Sequence, residues 1–428
     1  MRVWLTELTE PLPLVRGARG VGGARIMRCG TLAETLVQQD HDVLWWSSAF
    51  DHVQKSYRAA AGGAELLTWE RNYRIRLLPG PPYRRNVSLA RVRHHRAVAR
   101  EFARRAMQEP VPDLIFSSLP TLEVAEAAIR YGMAHGVPVV VDVRDLWPDA
   151  VLQVVPAFLR GLARLMLRRE FRRARFILRR ATAIVGVSAE YLTWGLRYAG
   201  RSRTERDGVF PLGYPRPETV PDELERAREH LIAAGVDPAK VICCFVGSFG
   251  RTYDLSPVFA GARQLQQAGR TDVQFVIAGD GERAPEWKSR AGGLTNVVFP
   301  GWLSAAGIAT LLRVSHVGLA AYANGAPQGL PNKLFEYMSA GLPLLSSLPG
   351  EAAALLAECA CGLTYDAREP ESFARALRQL LASAEIRSAM GRRSLERFRA
   401  EFDAAVIYER LGSHLTQVAR SHKHTRAS

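Results

Sequence analysis

Short apolar runs alternate with longer amphipathic stretches along almost the whole chain, in two series separated by a Pro- and Gly-rich break, VFPLGYPRPETVP, at 209–221. That alternation is the mark of parallel strands joined by crossover helices, because strands buried on both faces carry no polar alternation. In the first series strands fit 2–6, 42–47, 74–78, 114–118, 137–142 and 183–187, with helices over about 26–39, 88–107, 121–135 and 157–180. In the second, strands fit 241–246, 274–278, 296–299, 317–320 and 344–346, and a helical pattern over about 368–420 closes the chain. At 428 residues the chain exceeds one ordinary core and suits two domains. The expected fold is therefore α/β, two Rossmann-like parallel-sheet domains facing across a cleft. The expected division is 1–208, a linker at 209–221, 222–390, and a C-terminal helix with a basic tail at 391–428, the tail after Arg420 mobile.

Composition narrows the class. Hydrophobic residues make up 47% and charged residues 23%, as in soluble globular proteins. The net charge of +15 sits mostly in the first half: 30 Lys and Arg against 18 Asp and Glu in residues 1–200, but 27 against 24 in 201–428. The five cysteines show no CxxC pairing, which supports neither a zinc site nor a disulfide framework and fits a reducing compartment. No apolar run reaches the ~18 residues of a membrane span, and the N-terminus lacks a basic region followed by an apolar one.

Ligands of parallel-sheet domains bind at the carboxyl ends of strands, and three loops of the second series follow strands. CFVGSFGRTYDL offers Gly247 for close backbone approach and Arg251 as a permanent cation. VIAGDGE carries Gly279. GAPQGLPNKLFEYMSAGLP runs into a helix starting near Pro331 or Asn332, whose N-terminus suits a diphosphate. Lys333 adds a full charge in the first turn, and Glu336, three residues on, is placed to accept hydrogen bonds from paired hydroxyls such as those of a ribose. The competing expectation is a surface Lys333–Glu336 ion pair.

The order VGSFGRTYDL, VIAGDGE, NVVFPGWLS, GLPNKLFEYMSAGLPLLSS resembles the donor domain of family-4 glycosyltransferases, which have the GT-B fold. With LAETLVQQDHDV and VVVDVRDLWPD included, the resemblance spans nearly the whole chain. It is strongest to bacterial enzymes that build O-antigen, capsule or exopolysaccharide, of the colanic acid and N-acetylfucosamine transferase type. The resemblance implies an acceptor-binding first domain and a nucleotide-sugar-binding second one. It implies a nucleotide-diphosphate-sugar as substrate (a UDP-sugar favoured over a GDP-sugar), no cofactor or metal, transfer with retention of a hexosyl- or N-acetylhexosaminyl-type sugar, and a lipid-linked saccharide acceptor. Arg251 and Lys333 would then neutralise the diphosphate and Glu336 hold the ribose. Backbone groups of Gly329, Leu330 and Pro331 would lie beside the donor sugar, with Gln328 and Asn332 in the same donor-binding set, while Gly22 and Gly23 approach the phosphates from the other domain. Two positions depart from the family pattern: Gln328 stands where many members have a glutamate, and Arg144 where many have a histidine.

In the first series DVRDLWPDA follows an apolar strand and places Asp145 and Arg144 at its carboxyl end, Asp145 to position the acceptor hydroxyl and Arg144 to stabilise charge on the leaving phosphate. A supporting ion-pair network is the alternative for both. His52, after the second strand, is a candidate base or phosphate contact. Nine arginines lie between Arg160 and Arg180, opposed by Glu170. Arg160, Arg164, Arg168 and Arg172 recur every four residues as a helical stripe beside Leu162, Leu165, Met166 and Phe176. Such a helix fits an anionic membrane surface or a plainly solvated face. No nucleic-acid motif accompanies the arginines. The location expected is cytoplasmic, peripheral on the inner face of the cytoplasmic membrane. Besides transfer, two functions compete: a sugar-nucleotide epimerase of the same fold, and an inactive membrane-associated binding protein.

Overall fold

The computed structural model describes residues 1–13, 27–58, 65–85, 88–215, 220–326 and 328–427. They form two compact units, one of Met1–Leu212 with Ile407–Ser428 and one of Gly213–Val406.

The first unit holds β1 (Arg2–Thr6), β2 (Asp42–Ser48), β3 (Glu65–Glu70), β4 (Tyr73–Leu78), β5 (Leu114–Ser118), β6 (Val139–Val143), β7 (Ala183–Gly186) and β8 (Gly208–Val209). They make one sheet in the order β3-β4-β2-β1-β5-β6-β7-β8, parallel except for the β3–β4 pair. The central strands are buried along their length, β1 through Val3, Trp4 and Leu5. One face packs Trp4 against Trp46 and Tyr131, with ring centroids 5.1 and 4.9 Å apart. Sequence patterning misses β3, because this exposed edge strand lacks a buried face, and β8, because it has only two residues.

The second unit holds β9 (Val241–Val246), β10 (Val273–Ala278), β11 (Val297–Gly301), β12 (Val317–Ala320), β13 (Leu344–Ser346) and β14 (Gly362–Thr364), all parallel, in the order β11-β10-β9-β12-β13-β14. Its two faces are separate cores, one around Phe245, Phe249 and Trp287, the other around Leu334, Phe335, Tyr337 and Met338.

Several expectations need correction. The arginine-rich stretch is not one helix: a 3-10 turn at Ala157–Leu159 leads into Arg160–Met166, and Leu167 separates that helix from Arg168–Arg180. The four-residue arginine stripe is thus cut in the middle. The closing helical pattern is three helices, Pro370–Leu381, Ala384–Glu401 and Ala404–Ala427. Ser383 stops the chain between the first two, its hydroxyl accepting from the backbone N–H of Glu385 and Ile386. The tail continues the last helix to Ala427 rather than trailing free, with Lys423 paired to Asp113 at 2.6 Å. Cys359 and Cys361 are joined in a disulfide. Ala360 between them, at φ 44°, turns the chain so sharply that the two meet at a spacing that CxxC counting does not consider. Among the described residues no helix is long and apolar enough to cross a membrane.

Candidate functional site

The helix Asn332–Ser339 is fixed between two strands. Pro331 precedes it in extended conformation. Tyr337 presses on β12, where a Cβ on Gly318 would stand 2.6 Å from its ring. The Tyr337 hydroxyl accepts from Val246 N at 3.0 Å and donates to Leu319 O at 3.2 Å. That anchorage sets Lys333 in the first turn.

Lys333 is buried, only 7% exposed. Its Nζ lies 4.2 Å from the ring centre of Phe245 and 5.0 Å from that of Tyr253, and no carboxylate comes within 4.0 Å of it among the described residues. The aromatic faces give partial compensation. Burial brings the lysine pKa down to about 8, against a weaker opposing pull from Glu336. Gly247, just past β9, makes room: a Cβ there would stand 2.6 Å from Nζ. Gly279, past β10, takes φ 137° with its own notional Cβ only 1.9 Å from Gly247 O, so neither loop accepts a side chain. The Gly247 loop thus closes on the buried cation, and the Gly279 loop packs against the Gly247 loop.

Glu336, one turn on, accepts a hydrogen bond from the Tyr214 hydroxyl at 2.7 Å. A surface Lys333–Glu336 ion pair is ruled out by the burial of the lysine. Arg251 is 89% exposed and pairs with Glu282 at 3.1 Å, a solvent-screened contact. Upstream of the helix, Gln328 Oε1 and Asn332 Oδ1 are buried and accept no hydrogen bond from the described residues. Buried acceptors without donors are uncommon and ask for a ligand or water. Glu351, opening the helix Glu351–Glu358, lies against the same loop: a Cβ on Gly329 would sit 3.3 Å from its Oε2. Leu330 packs on the core beside them. Sequence reasoning missed Tyr214, Phe245, Tyr253 and Glu351. They come from distant segments, and no spacing rule links them to Lys333.

In the first unit the residues around β6 are committed to one another. Asp142, fully buried, takes two hydrogen bonds from Arg28, each 2.9 Å, and Arg28 donates a third to Pro211 O at 3.0 Å. Arg144 pairs with Glu10 at 2.5 Å, and the other Glu10 oxygen accepts from Cys29 N at 2.8 Å, in the first turn of the helix Arg28–Gln38. In the free chain Arg144 takes the place the network alternative gave it, beside a buried glutamate. Asp145 is different. Burial raises its pKa, backbone N–H groups of Leu146 and Trp147 oppose the rise, and it has no ion-pair partner among the described residues. His52 Nδ1 lies 2.6 Å from the Tyr83 hydroxyl. Burial, then Lys55 and Arg91, lower its pKa to about 4, so at neutral pH it is an uncharged hydrogen-bonding group and too weak a base for efficient proton removal. Gly22 and Gly23 lie outside the described residues. Arg160, Arg164, Arg168 and Arg172 are all exposed.

Residues 240–383 match the family described as glycosyl transferases group 1. Over the whole chain, the sucrose-phosphate synthase of Thermosynechococcus elongatus superposes with a TM-score of 0.67 at 15% identity, covering 98% of this chain and 99% of that one. The fold is GT-B. Two other structures share this GT-B architecture. Anabaena HepE in complex with UDP gives a TM-score of 0.65 at 14% identity, with 97% and 99% covered. WaaG, a glycosyltransferase involved in lipopolysaccharide biosynthesis, gives 0.61 at 16%, with 97% and 99% covered. No curated protein matches the chain.

Proposed function

We propose that this chain transfers a sugar, with retention of configuration, from a nucleotide-diphosphate-sugar to a lipid-linked saccharide used in building a bacterial surface polysaccharide. The observation that carries this reading is Lys333: a buried lysine with aromatic faces around it and, among the described residues, no carboxylate within ion-pair distance, at a helix N-terminus, inside the segment that matches the family. A diphosphate supplies the missing negative charge. As the glycosidic bond breaks, charge accumulates on the leaving phosphate, where a fixed cation and helix N–H groups stabilise it more than the ground state. Glu336, already holding the Tyr214 hydroxyl, takes the ribose. Gln328, Gly329, Leu330, Pro331 and Asn332 border the sugar, whose hydroxyls are donors for the unfilled acceptors of Gln328 and Asn332. Gly247 and Gly279 give close approach to the phosphates, with Arg251 in a solvent-screened supporting role. A UDP donor is favoured, in keeping with the UDP held by HepE, and no metal is called for.

The first unit takes the acceptor, with Asp145 orienting its hydroxyl and His52 as a neutral contact. Arg164, Arg168 and Arg172 face an anionic membrane, which puts the protein on the inner face of the cytoplasmic membrane. The test is incubation with UDP- and GDP-sugars, with and without lipid-diphosphate-saccharide acceptors. Acceptor-dependent nucleotide release supports the proposal. Isomerisation of the donor without acceptor makes the chain an epimerase, and binding without turnover makes it a binding protein.

A further inference from the structure

Apart from the network around Asp142, the first unit contains a cavity of about 600 Å³ that none of these assignments uses. Leu146 and Leu152 supply apolar wall, Trp194 an aromatic one, and two arginines, Arg160 and Arg197, also line it. Neither arginine has a carboxylate within ion-pair distance among the described residues. Among the described residues Arg160 donates only to Val155 O, at 3.3 Å.

The wall also contains two acids, Asp149 and Glu190. Asp149 is occupied: its Oδ2 accepts from Trp194 Nε1 at 2.8 Å and from the Tyr198 hydroxyl. Both donors are neutral and share Oδ2, so these contacts of the carboxylate use up neither arginine, and Glu190 is exposed to solvent. Arg175 adds a further cation near Tyr198.

Arg160 also opens a helix whose other side chains are unusually apolar for a surface. Phe158 is 84% exposed, Leu162 57%, Leu165 60% and Met166 76%. With Leu159 at 40%, five large apolar groups exposed within nine residues exceed the scattered hydrophobics of an ordinary soluble surface. The break at Leu167 explains the arrangement. It separates Arg160, which turns to the cavity, from Arg168 and Arg172 on the following helix, so one basic segment serves two purposes.

We propose that the cavity receives the phosphorylated head of an amphiphile between Arg160 and Arg197, with its alkyl chain lying along Phe158, Leu162, Leu165 and Met166. The proposal deepens the reading of a lipid-linked acceptor and rests on it for the identity of the cargo, though not for the binding itself. Cations at one end and exposed apolar side chains at the other match such a molecule in charge and in polarity. A purely anionic ligand leaves the apolar strip uncovered, and a neutral lipid leaves the arginines without a partner.

The test is calorimetric titration of the full chain with farnesyl diphosphate below its aggregation threshold, with inorganic pyrophosphate and farnesol in parallel. Farnesyl diphosphate should bind at least tenfold more tightly than either fragment. R160Q/R197Q should weaken it at least tenfold, while R164Q/R172Q, with the same loss of charge on the neighbouring surface, should change it less than threefold. F158S/M166S should weaken farnesyl diphosphate and leave pyrophosphate unchanged. Equal losses in the two arginine variants would reduce the effect to general surface charge and overturn the proposal. So would pyrophosphate binding as tightly as the whole amphiphile, which would mark a free-phosphate site, or farnesol doing the same. A parallel UDP titration keeps the two readings apart: absence of UDP binding to the wild-type chain removes the donor assignment and leaves the cavity result standing.

Discussion

At the end of β6, Asp142 and Glu10 are each matched by an arginine, Arg28 and Arg144, while past β9 the buried Lys333 faces aromatic rings and, among the described residues, has no carboxylate within ion-pair distance. Both regions lie at the carboxyl ends of parallel strands, where GT-B domains keep their loops, yet they spend charge differently. Removing charge from the matched network should cost folding. Removing it from the unmatched site should cost binding and leave the fold intact, because a lone buried charge is itself a burden on stability.

The largest effect is expected from Arg28→Met, which removes both short hydrogen bonds to the buried Asp142 and leaves it the more distant Arg144, at 4.0 Å. Loss of about 3–5 kcal/mol of unfolding free energy is expected for a buried pair broken on one side, read by urea denaturation of the full chain. A change below about 1 kcal/mol would break the comparison. Lys333→Ala should act the other way round. UDP affinity should fall by about 2–5 kcal/mol, as when one member of a buried, hydrogen-bonded charge pair is truncated, with denaturation midpoint unchanged or raised.

Titration sharpens the same contrast. The free protein's Lys333 pKa, near 8, lies below the ordinary lysine value, so below it the lysine is charged whether the chain is folded or not. UDP affinity should be flat from pH 6.5 to 7.5 and fall above about pH 8, approaching tenfold per unit. Over the same alkaline range the folded chain sheds its proton before the unfolded chain does, so this group makes stability rise with pH. K333R should move the fall in affinity out of the accessible range. The smallest effect belongs to Arg251→Ala, which should weaken UDP by no more than about 1 kcal/mol because the side chain is almost fully solvated. A loss as large as that of Lys333 would reverse their ranking.

Much of this was legible in the chain. Apolar runs such as VICCFV and VVVDV announce strands buried on both faces, and PNKLFEYMSAG announces a helix with a cation at its start. Pattern carries less where the third dimension decides. Nothing beside Lys333 in sequence says that Phe245 and Tyr253 surround it, or that Glu10 claims Arg144. The arginine stripe looked continuous because spacing counts residues and does not detect a change of direction at Leu167. Edge strands β3 and β14 escaped because they are exposed or very short.

The hydrogen bond from Cys29 N to Glu10 has a consequence for ligands. The helix Arg28–Gln38 already has an anion at its first turn, and that anion is part of the chain. A tethered ligand acts at an effective concentration of about millimolar or higher, so a dissolved phosphate must compete with a resident that never diffuses away. This end of the first unit is in that sense self-inhibited as an anion receptor. The helix Asn332–Ser339 differs: its first turn holds Lys333 instead of a carboxylate.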